Sequence, residues 1–176
     1  MRHLLALALV VLVAAPALAQ DKPAAKAPTA VMTLENGGVI TFEFFPADAP
    51  KHVENFLKLA REGFYDGQRF HRVEPGFVVQ IGDPQSKTLP MNAPGMGTGG
   101  PGYTIKAEVN KRPFERGVLG MARKSDPASA GSQIYLMLGA APHLNGQYTA
   151  FGRVVSGMDV VDKIKVGDRV KTIKVN

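Results

Sequence analysis

Apolar and polar positions alternate from Thr29 to Leu34 and again from Val39 to Phe45, the period-two signature of strands with one buried face. Between them, Glu35-Asn36-Gly37-Gly38 can supply the positive φ angles of a tight turn, which predicts an antiparallel hairpin. Pro46 ends that ladder. Asp48 is placed to cap a helix with Pro50 in its first turn; Val53, Phe56, Leu57 and Ala60 recur at helical spacing, and Gly63 is placed to close it. Short strand-like runs follow at Arg69 to Val73, Phe77 to Ile81, Gly117 to Ala122, Ser132 to Leu138, Thr149 to Val155 and Val170 to Val175, with a second helix at Met158 to Ile164. Eight short strands against two helices predict a mainly β domain, a closed eight-stranded antiparallel barrel capped by two α-helices.

The first residues differ from the rest. Arg2 and His3 precede an apolar run from Leu4 to Ala15, too short for a bilayer span of about 20 residues, and Ala17-Leu18-Ala19 offers a small-residue cleavage site. Residues 1–19 are therefore expected to be a signal peptide. Gln20 to Pro28, rich in Ala, Lys and Pro and without periodicity, reads as a flexible tether, and one domain is expected from Thr29 to Asn176. Export is the consequence, with the periplasm the first expectation and secretion the second.

Removing 19 of 176 residues leaves 157, enough for one domain with its own core. Cysteine is absent, which excludes dithiol chemistry, a thiolate nucleophile and a cysteine zinc site. The signal carries Arg2 and no acid, so the processed chain has 20 basic and 15 acidic residues, a net charge of +5. Its basic clusters, Lys111-Arg112 with Arg116 and Lys163 to Lys174, are interleaved with acids or lie in regular elements, which suits a solvated surface better than a nucleic-acid footprint.

Other motifs fail on context. Gly95-Met96-Gly97-Thr98-Gly99-Gly100 spells a dinucleotide fingerprint but lies between a proline-rich loop and Pro101-Gly102-Tyr103, with no helix to receive a phosphate. His52, His71 and His143 lack metal-ligand spacing, and no Gly-x-Ser-x-Gly elbow exists. Gln85 to Met96 reads as a flexible, proline-rich loop of unassigned role.

One residue stands out. Arg72 sits in Phe70-His71-Arg72-Val73-Glu74-Pro75-Gly76-Phe77-Val78-Val79-Gln80-Ile81-Gly82-Asp83, an unpaired cation in what otherwise reads as core strand. A permanently charged fork of five donors is tolerated there only if it meets a specific partner: a substrate amide, or else an ion pair with Glu74 or Asp83.

Three blocks resemble the cyclophilin family of peptidyl-prolyl isomerases: the segment just quoted; Gly120-Met121-Ala122 with Gly131-Ser132-Gln133-Ile134-Tyr135; and Leu144-Asn145-Gly146 with Phe151-Gly152. The family's Gly-Thr-Gly-Gly-Pro-Gly loop stands between the first two, at Gly97 to Gly102. The resemblance implies an eight-stranded barrel with two helices, and isomerase activity on X-Pro bonds. It makes Arg72 the catalytic donor and Phe77, Tyr135 and Leu144 the wall for a proline ring. Val78 falls at a pocket position that is often methionine, Gln80 and Gln133 at polar positions, and Ala122 and Arg123 along the edge where the peptide lies. This chain departs from the common pattern at His143, where tryptophan is usual, at Tyr148, in place of histidine, and at Arg123, in place of asparagine. Weak cyclosporin binding follows from the missing indole.

The chemistry needs no nucleophile, cofactor or metal. Rotation about an amide is opposed by about 18–20 kcal/mol, and an N–H aimed at the prolyl nitrogen helps only once twisting has returned its lone pair. Expected partners are proline-containing peptides and unfolded exported proteins, with no nucleic acid, no membrane insertion after processing, and a monomeric state. The alternative is a Pro-peptide-binding chaperone module with incidental or no isomerase activity.

Overall fold

In a computed structural model, the described residues 27–176 form one eight-stranded antiparallel sheet with two helices. The strands are β1 (Thr29–Leu34), β2 (Val39–Phe44), β3 (Arg72–Glu74), β4 (Val78–Ile81), β5 (Val118–Met121), β6 (Ile134–Met137), β7 (Thr149–Ser156) and β8 (Val170–Val175). Helix α1 (Pro50–Arg61) and the short α2 (Met158–Val161) complete the regular structure with two 3-10 turns, Pro84–Lys87 and Pro142–Leu144. The expected signal peptide, and the tether as far as residue 26, lie outside the described residues. Pro28, expected in the tether, is held against the sheet, its carbonyl accepting from the Phe44 amide at 3.1 Å.

The first hairpin forms as its alternation predicts: β1 buries every second residue, and Gly37 takes φ +88° in the turn. Strand order is β3-β4-β6-β5-β7-β2-β1-β8. The expected closed barrel is corrected to an open, curled sheet with β3 and β8 at its edges. A lone bridge, Arg69 to Arg169, with bonds such as Phe70 N to Asp168 O at 2.9 Å, joins the segments leading into those edges. The cause is local. Arg69 to His71, expected in strand, stay outside β3, which has only three residues, and Gly167 at φ +97° leaves extended geometry before β8 begins. The second helix likewise ends at Val161, short of the expected Ile164.

The main core packs α1 against one face of the sheet, where Phe42, Phe44, Phe56, Tyr65 and Phe151 lie with neighbouring ring centroids 5.1–6.4 Å apart. These are the offset and edge-on separations aromatic quadrupoles favour. The N-terminus of α1 departs from expectation: Ala49 is the N-cap, and Asp48 pairs instead with Arg112 at 2.7 Å. Glu108 supplies the cap from far along the chain, accepting from the Lys51 and His52 amides at 3.2 and 2.9 Å and contacting His52 Nδ1 at 2.7 Å. It thus satisfies amides left open in the first turn and places a carboxylate at the positive end of the helix.

Burial depresses the pKa of fully buried His52, outweighing the pull of Glu108 in the other direction. At Glu108 burial works upward, but the hydrogen bonds from the His52 ring and from the His52 and Lys51 amides outweigh it and hold the carboxyl below its ordinary value. With both values lowered, the unfolded chain takes up protons first, so stability falls on acidification. His52 contributes that loss below about pH 6.5, and Glu108 below about pH 4.5, as each group's unfolded value is crossed. Glu108→Gln should cost about 1–2 kcal/mol in a urea titration at pH 7. It should also flatten the acid loss below about pH 4.5, and an unchanged acid limb would show that the helix start is held some other way.

Candidate active site

The site is built on the face of the sheet opposite the main core, from side chains that share one register. Arg72 on β3 stands opposite Gln80 on β4, Gln80 opposite Tyr135 on β6, and Tyr135 opposite Gly120 on β5. Alternation splits these strands cleanly. Val79, Ile81, Leu119, Ile134 and Leu136 join the main core, whereas Val78, Tyr135 and Met137 join a second cluster with Phe114, Ala141, Leu144 and Ala150. Both faces are thus covered, which is why Phe77 to Ile81 reads as a nearly continuous apolar run.

Arg72 is not the unpaired cation expected. Its Nε donates to Glu74 Oε1 at 2.8 Å, with Nη2 2.6 Å from the same oxygen, and Nη1 donates to Gln80 Oε1 at 2.9 Å. Nor is it entombed: its side chain is 43 % exposed, and its guanidinium carbon lies 5.8 Å from the centre of the Phe77 ring. The chain of contacts continues inward. Gln80 Nε2 donates to Gln133 Oε1 at 2.9 Å, and Gln133 Nε2 donates to the carbonyls of Gly97 and Gly99 at 2.9 and 2.8 Å. The amides of those two glycines donate to buried Asp83, at 2.6 and 3.2 Å. The glycine loop is therefore scaffolding for the polar row, and no helix follows it. Buried Asp83 also accepts from the Gln85 amide as the cap of a 3-10 turn, so the start of the Gln85 to Met96 loop is ordered, with Ser86 fully buried.

Next to Arg72, His71 has neither ring nitrogen hydrogen-bonded. Its pKa is lowered, first by burial, with the Arg72 charge adding and the Asp83 charge opposing.

The apolar wall lies beside the guanidinium. Phe77 is half-buried against the second cluster, Val78 and Tyr135 are buried in it, and Leu144 closes it from a 3-10 turn. His143 lies exposed with its ring 5.7 Å from that of Phe77. The Tyr148 ring meets Tyr135 edge-on at 6.4 Å, and the Arg123 guanidinium stacks over Tyr148 at 4.8 Å. Arg123 also donates to the carbonyls of Lys124, Ser125 and Gln147, tying the loop after β5 to the segment that carries Leu144 and Tyr148. The Ala122 amide donates to Gln133 O at 2.9 Å and extends the β5–β6 pairing by one step.

Phe114 and the packing role of Gly120 were not expected from the sequence, whereas Glu74 was expected only as the alternative ion-pair partner of Arg72. Phe114 stacks beneath Tyr135 at 6.0 Å from an irregular loop with no periodic signal. Glu74 holds Arg72, which two-residue spacing on one strand face makes possible. Gly120 leaves the room that the Tyr135 ring fills. Among the described residues no three metal-ligating side chains cluster, and no helix is long and apolar enough to cross a membrane.

The model of the cyclophilin type peptidyl-prolyl cis-trans isomerase family matches residues 29–176. The chain belongs to the cyclophilin family. Its activity is the family's, peptidyl-prolyl cis-trans isomerisation. A probable peptidyl-prolyl cis-trans isomerase of Brucella abortus is 49 % identical over 146 residues, covering 81 % of this chain and 74 % of that one. Peptidyl-prolyl cis-trans isomerase B of Bacillus subtilis is 46 % identical over 149 residues, covering 84 % and 97 %. The crystal structure of a cyclophilin type isomerase from Cryptosporidium parvum superposes with a TM-score of 0.73 at 28 % identity, covering 85 % of this chain and 98 % of that one.

Gly120 offers a test of this cyclophilin's wall. A methyl group there would overlap the Tyr135 ring. Gly120→Ala should cost about 1–3 kcal/mol in thermal or urea unfolding and lower kcat/KM by displacing the ring. A variant with wild-type turnover would show that Tyr135 does not shape the groove.

Proposed function

We propose that this isomerase acts on X-Pro bonds of exported proteins, and that Arg72 accelerates rotation by donating a hydrogen bond to the prolyl nitrogen of the twisted amide. The observation that carries the mechanism is the setting of Arg72, held between Glu74 and Gln80 and exposed at the lip of an apolar wall of Phe77, Tyr135 and Leu144. The wall accepts the proline ring, and the segment at Ala122 and Arg123 takes the peptide backbone through main-chain groups other than the Ala122 amide, which is engaged with Gln133 O. A cyclophilin type isomerase from Cryptosporidium parvum has been crystallised in the presence of the dipeptide Ala-Pro, which supports a proline residue as the ligand for such a groove.

In a planar amide the nitrogen lone pair is delocalised and the donor gains little. As the bond twists, the nitrogen becomes pyramidal and the same donor meets a localised lone pair, so the interaction strengthens in the transition state alone. Each 1.4 kcal/mol or so of that difference gives a factor of about ten in rate. No proton leaves either partner.

Export rests on the sequence of residues 1–19, and the proposed place of action is the periplasm, with secretion second. There the enzyme would shorten prolyl steps that take tens of seconds unaided. The alternative, a chaperone module that only holds Pro-containing segments, gains little from a donor aimed at the twisted nitrogen.

Two measurements test this reading. Arg72→Ala should lower exchange on an Ala-Pro peptide by about 100-fold, some 2.8 kcal/mol, while the peptide still binds. Equal activity in wild type and variant would remove Arg72 from the mechanism. Separately, His143→Trp should tighten cyclosporin binding with little change in turnover, and an unchanged affinity would misplace the wall.

A further inference from the structure

We propose that Glu74 is a positioning residue for Arg72, setting which of its N–H groups face the substrate. The inference rests on Arg72 being the donor. Three observations carry it. Arg72 and Glu74 are two residues apart on β3 and so lie on the same face. Glu74 Oε1 takes the ε side of the fork, through Nε at 2.8 Å and Nη2 at 2.6 Å, while Gln80 on the neighbouring strand takes Nη1 from the other side. Both charged side chains remain accessible, at 43 % and 49 %, so the pair does not belong to the buried framework.

A long arginine with an exposed head otherwise samples many rotamers, and fixing it at the moment of rotation costs entropy. A partner on each side pays that cost beforehand. The guanidinium is planar, so two contacts on different nitrogens define its plane as well as its place, which a single bond from Gln80 cannot do. β3 is the sheet's edge and only three residues long, so its backbone offers Arg72 a neighbouring strand on one side alone. Glu74 supplies, from within β3, the restraint a second neighbouring strand would give. Exposed ion pairs contribute little to folding stability, so the carboxylate can be altered without loss of the fold.

The test compares wild type, Glu74→Ala, Glu74→Gln and Arg72→Ala in peptide exchange, with the Arg72 Nε–H resonance followed by NMR. Glu74→Ala should lower kcat about tenfold and leave KM within about twofold, with an unchanged melting temperature and loss of the ordered Nε–H signal. Glu74→Gln, which keeps an acceptor oxygen in place, should recover most of kcat and the signal. If Arg72→Ala is as active as wild type, the donor reading itself fails. If Arg72→Ala is inactive while Glu74→Ala turns over as fast as wild type or faster, Arg72 stands as donor and the positioning role of Glu74 is overturned. A Glu74→Gln variant as slow as Glu74→Ala would likewise overturn it, since charge rather than placement would then be what matters.

Discussion

Between the glycine loop and Arg72 run two primary amides whose polarity is forced from both ends. The carbonyls of Gly97 and Gly99 can only accept, so Gln133 must turn its nitrogen to them and its oxygen outward. Arginine can only donate, so Gln80 must turn its oxygen to Arg72 and its nitrogen inward. The two requirements meet at the Gln80 to Gln133 bond of 2.9 Å without conflict. One orientation satisfies every group, and a flip of either amide would leave a donor facing a donor. Asp83, accepting from the amides of the same glycines, anchors the far end of the row in the interior.

That row can exist because both faces of the β4–β6–β5 region, which ends at the exposed edge strand β3, are buried. The main core fills one face, and the cluster around Val78, Tyr135 and Met137 fills the other, with its half-buried rim formed by Phe77 and Tyr148. The same cluster supports the sheet and presents an apolar surface beside a cation. An N–H donor gains strength where water is excluded, and the half-buried rings beside Arg72 provide that exclusion on one side only. The other side stays open for a chain to enter.

Local patterns made much of this legible. β1, β2 and the hairpin turn follow from alternation and Gly37, and the resemblance carried by the three spaced blocks assigned Arg72, Gln80, Gln133 and the ring wall to one site. What escaped was decided by contacts distant along the chain. Asp48 has the right spacing for a cap, yet Arg112, 64 residues away, takes it, and Glu108 takes its place from 56 residues away. The edge strands fail to zip into a closed ladder because β3 is short and the chain enters β8 through Gly167. Glu74 stood only as an alternative partner for Arg72 because two-residue spacing permits the contact without requiring it, and only the rotamer shows that the two side chains meet. Phe114 lies in an irregular loop, where no periodicity marks a residue as part of a wall.

An oriented fork and a simple positive charge make different demands on residue 72, and Arg72→Lys separates them, because lysine keeps the charge as a mobile point and loses the planar donors. The most direct measurement is the cis-trans exchange rate of a saturating Ala-Pro peptide by NMR, with its dissociation constant from the same titration. The account predicts bound-state exchange slower by about 100-fold and affinity changed by less than about threefold. Exchange at the wild-type rate with lysine in place would contradict it.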